Sequence, residues 1–258
     1  MKKSYLLKSF IPNGITAFNL FCGFLSIIFS IKPSIYELNL PLFGYLEVTN
    51  IHIAGALIIM AAIFDSVDGL VARLIGVSSR FGVELDSLSD VVSFGAAPSF
   101  LMYQSYLYQF GVMGIIISSF PLIFGTFRLA NFNIKLKNLD KKNDFSGLPI
   151  PVSSLTNVTF VLTYYKIDKM IEPANYFVIP MIIATSILMV SKIRYNTLPT
   201  VESNSTKSNL IYVCVIIILG IIVIATDFVG LFYMFVVFVS YGFFRHIIFM
   251  IIKRNNKK

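Results

Sequence analysis

Residues 64–90 read FDSVDGLVARLIGVSSRFGVELDSLSD, and this stretch decides the fold. Asp65 and Asp68 stand i, i+3 apart and Asp86 and Asp90 i, i+4, so each pair shares one face of a helix. Apolar sequence flanks both pairs: a run from Ile51 leads into the first, and 37 uncharged residues, 91–127, follow the second. Two adjacent, antiparallel membrane helices would bring the four carboxylates to one depth, just inside one membrane face. Acids in such a place are costly and mark a functional site by default. They repel one another unless cations compensate them. An all-oxygen set with no His or Cys nearby favours a hard ion such as Mg²⁺ or Mn²⁺. Pairing with Arg73 and Arg80 at an ordinary helix end would leave two of the carboxylates alone. Gly69 and Ala72 continue the first acidic face at +4 and +7, and Gly82 sits one turn before Asp86. These small residues either make room for a bulky ligand or let helices pack closely.

The surrounding chain is that of a membrane protein. Of its 258 residues 56% are hydrophobic and 13% charged, with a mean hydropathy of +0.79. A soluble domain carries roughly twice that charged fraction, so a soluble globular enzyme, a disordered chain and a disulfide scaffold are excluded. The net charge of +8 suits anionic lipid headgroups, and no nucleic-acid partner is expected. Cys22 and Cys214 each lie in an apolar run without metal-binding spacing, and His52 and His246 flank no acidic cluster. The start, MKKSYLLK before an apolar stretch, has no small-residue cleavage site and is expected to remain as a first membrane helix.

Hydropathy and charge predict eight spans, at about 9–31, 51–75, 87–108, 112–134, 150–166, 175–192, 209–226 and 229–251, with a break near Gln109–Gly111. With both termini on the cytoplasmic side, 18 of the 21 Lys and Arg residues fall on that side, leaving only Lys32, Lys166 and Lys169 opposite. The expected fold is therefore all-α and polytopic, with its acidic site at the cytoplasmic face. The polar, Ser- and Asn-rich stretch 201–207 divides it into a six-helix part, 1–200, and two further helices with a basic tail, 201–258.

The quoted stretch fits D-x-x-D-G-x-x-A-R…G-x-x-x-D-x-x-x-D at every fixed position, with eight residues in the gap. It resembles the signature of the CDP-alcohol phosphatidyltransferases. Further segments are similar to the membrane-embedded bacterial and archaeal phosphatidylserine synthases of that family: IPNGITAFNLFCG at 11–23, LDSLSDVVSFGAAPS at 85–99, RLANFN at 128–133, GLPIP at 147–151 and SKIRYNTLP at 191–199. The resemblance covers residues 1–200 and implies a six-helix catalytic core in the cell (inner) membrane, a homodimer, and transfer of a phosphatidyl group from CDP-diacylglycerol to L-serine with release of CMP. It implies two divalent cations held by Asp65, Asp68, Asp86 and Asp90, with Asp90 also the base for the serine hydroxyl. A metal-activated hydroxyl is the rival to that base.

On the nucleotide side the resemblance implies Asn13, Thr16, Gly69, Ala72, Arg73 and Gly82. Serine needs partners for a carboxylate and an ammonium. Arg128, Asn131 and Lys135 fall at i, i+3 and i+7 on the fourth helix with Asn133 close by, and Arg128 is the candidate for the carboxylate. Lys192 and Arg194 are weaker candidates for phosphate or headgroup contacts. Two alternatives stay open from sequence. One is another acceptor (glycerol phosphate or an inositol phosphate) or an ether-lipid donor. The other is an ion-coupled transporter, against which stand the lack of a repeat and the clustering of all four acids at one face. A phospholipase-D-type synthase needs His-x-Lys pairs, and neither histidine sits in one.

Overall fold

The computed structural model describes residues 2–31, 35–40, 44–76, 79–137, 147–166, 169–193, 195, 226 and 228–255. Helix α1 (Lys2–Ile31) runs into a hairpin of β1 (Ile35–Leu40) and β2 (Gly44–Thr49), and α2 (Asn50–Ile75) returns alongside α1. Helix α3 (Arg80–Asp90) continues through one π-helical segment, Val91–Ala96, into α4 (Ala97–Ser105). After a 3₁₀ turn (Leu107–Phe110) come α5 (Gly111–Ser118) and α6 (Phe120–Lys137). Helix α7 (Ile150–Tyr164) leads through a short hairpin, β3 (Tyr165–Lys166) and β4 (Lys169–Met170), and a 3₁₀ turn (Ala174–Phe177) to α8 (Val178–Val190). The last described element is α9 (Val229–Asn255). The expected span 209–226 lies outside the described residues, Thr226 excepted.

Four helical stretches among the described residues are long and apolar enough to cross a membrane: Phe10–Ile31, Asn50–Ile75, Leu107–Ile134 and Val229–Ile248. The expectation of an all-α chain needs correcting by two small antiparallel hairpins. In the first, Ile35 pairs with Thr49 and Leu40 with Gly44, and Tyr36, Leu38 and Leu40 alternate with polar Glu37 and Asn39, the period of a strand. The third helix starts at Arg80 rather than near 87, because Ser79 caps it and its polar first turns escape a hydropathy count. The expected break near Gln109–Gly111 is present, with Gly111 at φ 53. A second break at Ser119 precedes Pro121, whose ring lacks the N–H that a continuous helix would use.

Helix α7 is the centre of the bundle, buried along nearly its whole length from Ile150 to Thr163. Its three threonines satisfy their hydroxyls in an apolar setting by bonding back one turn, Thr156 donating to Val152 O, Thr159 to Leu155 O and Thr163 to Thr159 O, while Ser153 and Ser154 Oγ are buried without a partner among the described residues. Asn157 Nδ2 donates to Thr185 Oγ1 at 3.2 Å, tying α7 to α8. Helix α9 packs on the same centre through Phe160 and Phe232, 5.3 Å between ring centroids, and through the Tyr164 and Tyr233 hydroxyls at 3.1 Å. Midway along α9 the ring of Tyr195 lies against Gly242, where a side chain would collide with it.

Candidate active site

Three helices converge where the signature lies. Helix α2 carries Asp65 and Asp68 and ends at Gly76, whose φ of 68 lets its N–H return to the carbonyls of Ala72 and Arg73. Ser79 then caps α3, its Oγ accepting from the N–H of Gly82 at 2.9 Å, so that Asp86 and Asp90 run back along α2. Helix α1 lies in the fork. Ser89 Oγ donates to Thr16 O at 3.2 Å and Ser93 Oγ to Asn19 O at 3.0 Å, which pins α1 to the face that carries Asp90. Gly23 has no room for a side chain against Ser93, so the two backbones meet closely here.

Asp65, Asp68 and Asp86 each offer an oxygen within 4.8 Å of the others. Asp90 Oδ1 is buried with no partner among the described residues. Thr16 Oγ1 lies 2.7 Å from Asp68 Oδ2 and 3.1 Å from Pro12 O; the shorter, charge-assisted contact is the stronger claim on its proton. Like charges at this spacing repel by about 3–4 kcal/mol per pair at an effective dielectric near 20. Four full negative charges therefore need compensation. The donor set fits a divalent cation: all oxygens, three already converging, and a fourth buried carboxylate oxygen left unpartnered.

A cleft of about 320 Å³ opens beside these acids, lined by Asn13, Thr16, Asp68, Gly69, Ala72, Arg73, Gly82 and Asp86 among others. All six residues expected on the nucleotide side thus lie on one wall system with two of the acids. The two glycines differ. A Cβ on Gly69 would meet nothing closer than the Arg73 guanidinium at 3.9 Å, so the surface here is open. A Cβ on Gly82 would come within 3.1 Å of Asn13 Oδ1 and 3.2 Å of Ser79 Oγ, so this glycine serves the close approach of α3 to α1. Exposed Arg73 folds back, Nε donating to Gly69 O at 2.9 Å.

On α6 the structure turns Arg128 and Asn133 inward and leaves Asn131 exposed, which differs from the single face read from their spacing. Arg128 Nε is buried without a partner among the described residues. Asn133 Nδ2 donates to Ser87 Oγ at 3.0 Å, and Ser87 Oγ lies 3.1 Å from Val83 O. The side chain of Lys135 and all of Arg194 lie outside the described residues, and Lys192 is exposed. Sequence reading missed the serines that hold α1 and α3 together. Their spacing, Ser89 and Ser93 one turn apart and flanking Asp90, was the available signal.

The model for the CDP-alcohol phosphatidyltransferase family matches residues 9–190. A CDP-diacylglycerol–serine O-phosphatidyltransferase of Helicobacter pylori strain J99 is 33% identical over 245 residues, 93% of this chain and 92% of that protein. The protein of the same name from Bacillus subtilis is 34% identical over 187 residues, 72% of this chain and 90% of its own length. An archaetidylserine synthase of Methanothermobacter thermautotrophicus is 35% identical over 188 residues, 72% of this chain and 69% of that protein.

Proposed function

The chain belongs to the CDP-alcohol phosphatidyltransferase family, and on that premise we propose that it transfers the phosphatidyl group of CDP-diacylglycerol to the hydroxyl of L-serine, forming phosphatidylserine and CMP. The observation that carries this reading is the convergence of three carboxylates within 4.8 Å beside a cleft lined by the nucleotide-side residues. The names of the similar proteins support serine as the acceptor. Family membership sets the transporter alternative aside.

In this reading Asp65, Asp68, Asp86 and Asp90 hold two divalent cations, Mg²⁺ or Mn²⁺. When bound, these neutralise the donor's pyrophosphate and the charge that develops on departing CMP. The open surface over Gly69 and Ala72 admits the cytidine, and Asn13 and Thr16 face it from α1. Gly82 lets α3 close on Asn13, and Arg73 supplies a fixed positive charge for a phosphate oxygen. Arg128, half-buried and short of an acceptor at Nε, receives the serine carboxylate, and Asn131, Asn133 and Lys135 of the same helix are the further serine-binding residues. The serine oxygen forms its bond to phosphorus as the bond from phosphorus to the CMP oxygen breaks, CMP keeping the electron pair. The hydroxyl proton passes to Asp90 Oδ1.

The distribution of basic residues supports an active site at the cytoplasmic face of the inner membrane, a six-helix catalytic domain over 1–200, and two appended helices over 201–258. Membrane lipids then surround a homodimer. The test is purified protein with CDP-diacylglycerol, a divalent cation and a panel of alcohols, following CMP release. Release with serine and not with glycerol phosphate or inositol phosphate is expected. Release only with another alcohol would overturn the acceptor and keep the reaction class. Turnover undiminished in Asp90→Asn would overturn the base.

A further inference from the structure

Asn133 reaches from α6 to the helix that carries Asp86 and Asp90. Its Nδ2 donates to Ser87 Oγ at 3.0 Å, and Ser87 Oγ lies 3.1 Å from Val83 O. The hydroxyl has one proton, and Val83 O, which can only accept, takes it. Toward Asn133 the Ser87 oxygen is therefore an acceptor, and the amide end that faces it is the nitrogen. The carbonyl end is turned away, and Asn133 Oδ1 is left without a partner among the described residues. Such an oxygen costs about 1–3 kcal/mol while it stays unpaired. Turning the amide over would pair it with Ser87 only by taking the proton from Val83 O.

The packing of α6 sets this oxygen on the same side as a second unpaired group. Helix α6 runs antiparallel to the stretch from α3 into the π-helical segment, since Gly95 meets Leu122 at one end and Ser87 meets Asn133 at the other. Arg128 lies between these two contacts, level with Asp90 and Val91, and its Nε also lacks a partner among the described residues. Val83 and Asp86, which flank Ser87 on α3, both line the cleft. Five residues separate Arg128 from Asn133, about 7.5 Å of helix rise. An α-amino acid carries its carboxylate and ammonium on one carbon, and a hydrogen bond of about 2.9 Å from each lets one molecule bridge partners that far apart.

We propose that Ser87 is a positioning residue for the acceptor: by holding the Asn133 amide it keeps Oδ1 turned to receive the serine ammonium, while Arg128 takes the carboxylate. A neutral carbonyl binds the ammonium without adding a fifth negative charge beside the acids. An acceptor without an ammonium gains nothing from this lock, so the lock selects for an amino alcohol. The inference rests on the serine-transfer reading above.

The test measures CMP release against serine and against CDP-diacylglycerol, inhibition by 3-hydroxypropanoate (serine without its amino group), and thermal unfolding with and without Mn²⁺. No CMP release from wild type with serine overturns the transfer reading, and the proposal with it, before any variant is made. With wild type active, Ser87→Ala is expected to raise the serine KM about tenfold, the worth of one hydrogen bond. The KM for CDP-diacylglycerol, the inhibition constant of 3-hydroxypropanoate and the Mn²⁺ shift should be unchanged, and Ser87→Thr, which keeps the hydroxyl, should behave as wild type. In Asn133→Asp both side-chain oxygens are acceptors and orientation ceases to matter, so adding Ser87→Ala should cost nothing further. If Ser87→Ala does not fold, Asn133→Leu decides the matter by losing the preference for serine over 3-hydroxypropanoate. An unchanged serine KM in folded Ser87→Ala overturns the proposal. An equal rise in the inhibition constant also overturns it, because the ammonium would then not be what Ser87 serves. Loss of the Mn²⁺ shift overturns it too, and would assign Ser87 to the metal site.

Discussion

Thr16 on α1 donates a 2.7 Å hydrogen bond to Asp68 Oδ2 on α2, across 52 residues of chain. The bond fixes one carboxylate of the acidic cluster to a helix that carries none of the acids. It also sets the rotation of α1, which turns Asn13 toward the cleft and Asn19 toward the interior.

Removing that bond should loosen Asp68 and leave the rest of the site in place. A hydrogen bond to a charged group is worth about 1.5–3 kcal/mol, so Thr16→Val is expected to lose roughly ten- to a hundredfold in kcat/KM. Thr16→Ser should retain most of it. Steady-state CMP release compares the two, and equal losses in both would show that the methyl group matters rather than the hydroxyl.

The acidic cluster couples activity to stability with opposite signs. Chelation by EDTA should abolish CMP release and lower the unfolding temperature, and added Mg²⁺ or Mn²⁺ should restore both. Asp86→Asn removes one of the mutually repelling charges, so in EDTA it should unfold at a higher temperature than wild type, by a few degrees. Its activity with metal should drop by at least a hundredfold. Differential scanning fluorimetry with and without metal reads the crossing.

Gly69 and Gly82 are both small, and substitution should separate them. Gly69→Val projects into open cleft, so the fold should hold while the KM for CDP-diacylglycerol rises tenfold or more. Gly82→Val must displace Asn13 and Ser79, at a cost of about 1–3 kcal/mol from overpacking. A drop in unfolding temperature for the second alone is the expected result.

Arg128→Gln should raise the KM for serine far more than that for CDP-diacylglycerol, because the cation lost is the one expected to meet the serine carboxylate. Equal effects on both substrates would remove Arg128 from the serine site.

The last helix should matter to stability without entering the chemistry. The Tyr195 ring fills the notch at Gly242, midway along α9, so Gly242→Leu forces the helix away from that ring and is expected to cost about 1–3 kcal/mol. Thermal unfolding measures the loss, and the KM of the surviving folded enzyme should be unchanged for both substrates.

The acidic constellation was legible in the sequence because both of its spacings are local. A carboxylate pair at i, i+3 or i, i+4 declares its face through helix geometry alone, and in so apolar a chain such pairs stand out. Membrane character, the helix break at Gly111 and the family signature were legible for the same reason: each depends on residues adjacent along the chain. The third helix's true start was hidden by its polar first turns, and the hairpin from Ile35 to Thr49 lay in what hydropathy reads only as a loop.

What tertiary structure alone decided concerns residues far apart in the chain. Spacing put Arg128 with Asn131, but packing of α6 leaves Arg128 and Asn133 half-buried and Asn131 exposed, because the neighbouring helices determine which side of α6 is interior. The two signature glycines look alike in sequence, and only the approach of α1 made one a floor of open cleft and the other a close contact. The pinning of α1 by Ser89 and Ser93 is likewise a property of two helices meeting, since burial and hydrogen-bond satisfaction depend on what lies across the interface and not on what lies next in the chain.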